Sequence, residues 1–180
     1  PPPASLVPNG PSIQETNGEK GESSTYEIRD TLTSKHDEDL FDHFAASQLA
    51  MVDVTNSAVK RIGKPGIYSD VDAAPDGDHV LVTSIQKPYS YVTTFDHFAH
   101  SVDIWDRSGS SSHVASLPVA DRVPVHGVPT GPRDFDWRLA EPATLIWAEA
   151  LDGGDWKAKA PARDKIMMQK APFTAPPVEI

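Results

Sequence analysis

A hydrolytic serine is most readily recognised at the centre of a G-x-S-x-G turn, where a strand-to-helix elbow lifts its hydroxyl toward a histidine. The sequence contains no such turn. Its nearest approach, Gly109-Ser110-Ser111-Ser112-His113, lacks the closing glycine, and its residues are those of a polar hairpin tip. There are no cysteines, which excludes disulfides, thiolate nucleophiles and zinc–thiolate centres.

Histidines and carboxylates could instead hold a metal. His97 and His100, in Asp96-His97-Phe98-Ala99-His100, have the i, i+3 spacing of two ligands on one helical face. Their surroundings read as a loop before a strand, and no third ligand follows. His36-Asp37-Glu38-Asp39 with Asp42-His43 is explained by the preference of a helix's first turn for acidic residues. Asp70, Asp72, Asp76 and Asp78 flank a glycine turn without the spacing of a calcium loop. Trp105, Trp137 and Trp147 sit in strand patterns and are expected in the core, whereas Trp156 follows a flexible loop and is a candidate contact. No catalytic, cofactor-binding or metal residue is assigned on these grounds, and no cofactor is expected.

The elements that would position such groups follow from composition and period. At 180 residues, 38% of them hydrophobic and 23% charged, the chain can form one globular domain with a core. The net charge of −10, with no basic cluster, argues against nucleic acid and anionic membranes as partners. No apolar run approaches the roughly 20 residues of a membrane span, and no signal-peptide pattern is visible. A start at Pro1 reads equally as a processed or excised segment and as an arbitrary boundary of the sequence.

Residues 1–24 are rich in Pro, Gly, Ser and Glu and read as a flexible lead-in. Ser34 with Asp37 three residues on predicts a capped short helix running to about Ala46, with Leu40, Phe41 and Phe44 on one face. The period then becomes two. Gln48–Val54 and Ala58–Ile62 predict a hairpin about Thr55-Asn56-Ser57. Tyr68–Asp72 and His79–Ile85 flank a Pro75-Asp76-Gly77 turn, and Ser101–Trp105 and His113–Leu117 flank Asp106–Gly109. Asp134–Arg138 pairs with Thr144–Ala148, and beyond Gly154 the alternation fades into a Pro-rich tail.

Two echoes organise these strands. Asp70-Val71-Asp72, followed by a proline loop and an apolar strand, recurs 64 residues on as Asp134-Phe135-Asp136. The strand ending at Asp53 and the one ending at Asp106 are each followed by a turn and a hairpin partner. Such recurrence fits the four-stranded blades of a β-propeller, whereas a β-sandwich would show similar spacing without the echoes. The expected fold is all-β: an incomplete propeller of about two to three blades over residues 25–168, preceded by the helix and lead-in, with a Pro-rich tail at 169–180.

The stretches DEDLFDHFAASQLAMVD, IYSDVDAAPDGDHVLVTSIQKPYSY, VDIWDRSG and RDFDWRLAEPATLIWAEALDGGDWK, with PARDKI, occur here in the order found in glutamyl endopeptidases. Over about residues 24–168 the chain resembles the N-terminal propeller of that group within the prolyl oligopeptidase family of serine peptidases. The resemblance implies a parent in which the propeller gates peptide substrates. A later α/β-hydrolase domain, beginning beyond this chain, would carry a Ser-Asp-His triad and cleave after Glu. None of those catalytic motifs maps onto a position here. The competing expectation is a non-enzymatic propeller interaction module or a degenerate gene fragment. Peptide substrates bound through the parent, and self-association through open blade edges, are the partners expected. An exported or periplasmic bacterial enzyme is the favoured localisation, or a plastid if the source is a plant.

Overall fold

The computed structural model describes residues 30–180 apart from 122, 124 and 125, so the expected lead-in at 1–24 lies outside the described residues. Helix α1 spans Lys35–Ala45, with Ser34 at its N-cap accepting a hydrogen bond from the Asp37 N–H. Asp37 reaches back to Thr33, accepting from its N–H at 2.8 Å and from its hydroxyl at 2.5 Å. The packing face is not the expected Leu40, Phe41, Phe44 set, because Phe44 is 71% exposed. Glu38, Phe41 and Asp42 face the protein instead. Phe41 stacks edge-on against Tyr89 and Phe98, while Asp42 accepts from Tyr89 and Lys87 and Glu38 accepts from Tyr91.

The strands are β1 (Ala50–Asp53), β2 (Ala58–Arg61), β3 (Tyr68–Ala73), β4 (His79–Gln86), β5 (Ala99–Asp106) and β6 (Ser111–Leu117). They continue with β7 (Pro132–Trp137), β8 (Thr144–Ala150), β9 (Asp164–Lys170) and β10 (Val178–Glu179). β1 and β2 form a hairpin, and the remaining eight make two four-stranded sheets ordered β3-β4-β5-β6 and β10-β9-β8-β7. Every pairing is antiparallel between neighbours in sequence, so each sheet is an up-and-down meander. This is the strand organisation of propeller blades, and the fold is all-β and incomplete, with no closed barrel among the described residues.

The 64-residue echo has a structural counterpart. Asp70–Asp72 lies in β3 and Asp134–Asp136 in β7, the first strand of each sheet, and each strand carries a register shift there. Where the sequence fades into a tail, the structure carries on. Asp164–Lys170 pairs along β8, and Val178-Glu179 adds the fourth strand after the Pro-rich turn.

One hydrophobic core joins the two sheets. Leu81, Val102, Ile104 and Ala115 from the first meet Trp137, Leu145 and Trp147 from the second, with Phe173 closing the cluster from the β9–β10 turn. Burying a side chain of this size stabilises by roughly 1.5–3 kcal/mol. Polar bonds fix the relative position of the sheets as well: Trp137 Nε1 donates to the Asp72 carbonyl at 3.2 Å, and the Asp76 N–H to the Pro142 carbonyl at 2.7 Å.

Candidate functional site

Between the two sheets, residues 118–121 and 128–130 line a cleft of about 450 Å³. One wall comes from the start of β5 and the end of β6, including His97, His100 and Leu117, and the other from Val128, Arg133 and Gly153. A 3-10 turn at Phe95–His97 brings the chain to the cleft, and Thr94 at its start donates its hydroxyl to the Asp96 carboxylate. The His97 carbonyl accepts from the Ala120 N–H at 2.8 Å and so pins the connection to the first sheet. On the far side the Val128 N–H donates to the Gly154 carbonyl at 3.0 Å. Gly154 has φ +79°, and a Cβ there would lie 2.2 Å from the Val128 carbonyl oxygen, so only glycine permits this approach.

Charge in the cleft is largely balanced by its own neighbours. Arg133, whose side chain is 15% exposed, donates through Nη2 to Asp164 at 2.6 Å and pairs through Nε with Asp134 at 3.3 Å. Its Nη1 is buried with no hydrogen-bond partner among the described residues. Burial pushes the His100 imidazole below its usual range, which favours the neutral ring at physiological pH. Burial raises Asp96, but the Thr94 hydroxyl and the nearby His97 outweigh it and leave the carboxyl below its ordinary value. Among the described residues the lining combines apolar side chains such as Leu117 and Val128 with polar ones such as His97, His100 and Arg133.

The residues singled out from sequence are dispersed by the fold. His97 ends a 3-10 turn and His100 lies in β5, so they share a wall of the cleft but not a helical face. The carboxylates of α1 have local partners: Lys35 bridges Glu38 and Asp39, and Asp42 pairs with Lys87. Asp76 organises the β3–β4 turn by accepting from the N–H groups of Asp78 and His79, and Asp78 pairs with Arg107 at 2.7 Å. Among the described residues no group of three or more His, Asp or Glu is placed to hold a metal ion.

Trp137 and Trp147 are buried core as expected, whereas Trp105 is half-buried and packs over Gly63 and against Tyr68. Trp156 is 46% exposed and meets the His126 ring edge-on at 6.1 Å. Of the Gly109–His113 stretch only Gly109 and Ser110 lie in the hairpin turn; Ser111, Ser112 and His113 are already in β6, where His113 bonds Asp103 on the neighbouring strand. Sequence reasoning did not single out Arg133. Its only signal was its place beside the second Asp-x-Asp echo.

No family model matches the chain. It is 36% identical over 174 residues, 95% of its length, to the probable chloroplastic glutamyl endopeptidases of Oryza sativa subsp. japonica and Arabidopsis thaliana. The chain spans 18% of the length of each. Among solved structures it is similar to the acylaminoacyl peptidase of Pyrococcus horikoshii, with a TM-score of 0.40 and 11% identity over 75% of this chain and 21% of that one. That likeness is too slight to assign the fold.

Proposed function

We propose that this chain, a glutamyl endopeptidase-like segment of the prolyl oligopeptidase family, forms part of the gate through which a serine endopeptidase admits peptides. The observation that carries the reading is the sequence relationship along nearly the whole chain. Two blade-like sheets joined by one core agree with it. In this reading the segment contributes wall and filter, the inter-sheet cleft is a surface an extended peptide meets, and cleavage by the whole protein follows glutamate.

The test uses the full-length protein that carries this chain and two peptides differing only by Glu or Gln at one position. Selective hydrolysis after Glu, by about tenfold or more, is expected of a site built to bind a carboxylate. Equal cleavage of both peptides, or none of either, overturns the reading.

A further inference from the structure

We infer that Ser116, His113 and Asp103 form a nucleophilic serine site on the open face of the β5–β6 hairpin, one that takes small activated acyl or phosphonyl donors. The inference is independent of the peptidase reading, since it rests on side-chain geometry alone.

The three residues are linked in the order that activates a serine. Ser116 Oγ lies 3.0 Å from His113 Nε2, and His113 Nδ1 lies 3.0 Å from Asp103 Oδ1. Asp103 is itself held, because Ser101 Oγ donates to its Oδ2 at 2.7 Å. The network assigns the tautomer: Nδ1–H donates to the carboxylate and Nε2 accepts from the serine hydroxyl. The His113 side chain is 54% exposed and that of Asp103 21%, so the histidine is open to a reagent while the carboxylate is partly shielded.

A defect in the sheet makes this arrangement possible. Side chains alternate faces along a strand, so His113 and Ser116, three apart, would ordinarily point to opposite sides. The pairing runs Val102↔Ala115 and then Asp103↔His113, one step on β5 against two on β6. The additional residue, Val114, is a β-bulge. It returns His113 to the face of Ser116, opposite Asp103, while Ser116 stands opposite Ser101. Four polar side chains from two strands thus share one face, and β6 is an edge strand, so no further described strand covers them on that side.

The chemistry follows from the connectivity. Ser116 Oγ attacks the acyl carbon of an activated ester and forms a new C–O bond as its proton passes to His113 Nε2. The ester C–O bond then breaks, and the leaving oxygen takes that proton from the imidazolium, which Asp103 stabilises. Water hydrolyses the acyl-serine by the reverse proton path. The largest part of acyl-transfer catalysis comes from preorganised oxyanion donors in a water-excluded site. An exposed strand therefore supports covalent capture better than rapid turnover, and the expected signature is stable labelling.

The full chain is treated with a fluorophosphonate, digested, and the modified residue located by tandem mass spectrometry. The expected result is a label on Ser116 in preference to Ser110, Ser111 and Ser112. Ser116→Ala should abolish that label, and His113→Gln and Asp103→Asn should slow it by about tenfold or more. Free imidazole should partly restore labelling in His113→Gln, a rescue that a merely structural role for the ring would not give. Circular dichroism confirms that the variants fold, and the wild-type chain in urea provides a comparison independent of any substitution. Equal labelling of folded and denatured chain, or a label spread evenly over the four serines, overturns the inference.

Discussion

The indole of Trp137 donates to the carbonyl of Asp72 at 3.2 Å, tying the first strand of one sheet to the first strand of the other. Asp72 closes the first Asp-x-Asp segment and Trp137 directly follows the second, so the echo in the sequence lies at the seam of the structure. Trp137→Phe removes the donor while keeping an aromatic ring, and the expected loss is about 1 kcal/mol. Trp137→Ala also opens a cavity in the shared core, with an expected loss of about 3–5 kcal/mol. Urea unfolding of the two variants distinguishes the terms, and similar losses from both would show that the bond matters more than the packing.

The β1–β2 hairpin is attached to the first sheet through a contact that needs a glycine. Gly63 has φ +64°, and a Cβ there would fall 2.1 Å from Cζ3 of Trp105. Gly63→Ala is expected to destabilise by more than about 1 kcal/mol, because a strained φ adds to the clash. Tryptophan fluorescence during unfolding reports it, and an unchanged midpoint would mean that the hairpin moves freely on the sheet.

Acid should release α1. The hydrogen bond from Tyr91 holds the Glu38 carboxyl below its ordinary range, with Lys35 adding to the effect. Burial raises Asp42, but Lys87 and Tyr89 outweigh it and leave its carboxyl lowered as well. Tyr89 is pushed upward by burial and by Asp42, so it remains a donor throughout. A depressed folded-state value means the stabilisation is full above the unfolded carboxylate range of about 4 and is lost as pH falls through the lower folded value. NMR shifts of the Phe41 ring should therefore move in an acid transition that Asp42→Asn reduces and Asp42→Asn with Glu38→Gln abolishes. A transition at neutral pH would contradict the assignment.

How much of this was legible beforehand differs by element. Ser34 with Asp37 announced α1, and strict alternation announced β3 to β8. The second sheet's last two strands were not visible, because Asp164–Lys170 sets Ile166, Met167 and Met168 in succession instead of alternating, and β10 is two residues beyond Pro176-Pro177.

Local sequence could not have decided some cases at all. Phe-Asp-His-Phe-Ala occurs twice: residues 41–45 are α-helix, while 95–99 form a 3-10 turn entering β5. Tertiary contacts select between them, since Phe41 of the first copy packs on Phe95 and Phe98 of the second. The Ser116–His113–Asp103 network was hidden for a related reason. The bulge at Val114 shifts facing by one residue and leaves no mark in the hydrophobic pattern.

Open edges give another expectation. β3, β6, β7 and β10 end their sheets, and Val71 on β3 and Val178 on β10 are 46% and 52% exposed. Unpaired edges with apolar side chains recruit further strands. The isolated chain should therefore melt at a temperature that rises with its concentration, measured by calorimetry over a hundredfold range or about that. A concentration-independent melt of a monomer would contradict it.

The central claim is that these sheets belong to a gate on a glutamate-directed peptidase. Its most direct test compares, in the full-length protein, cleavage of a short Glu-containing peptide with cleavage of the same sequence inside a stably folded protein. The account predicts that the peptide is cut and the folded protein is spared, and that Trp137→Phe, by loosening the seam between the sheets, narrows that difference. Equal cleavage of the two substrates by the unmodified protein would contradict it.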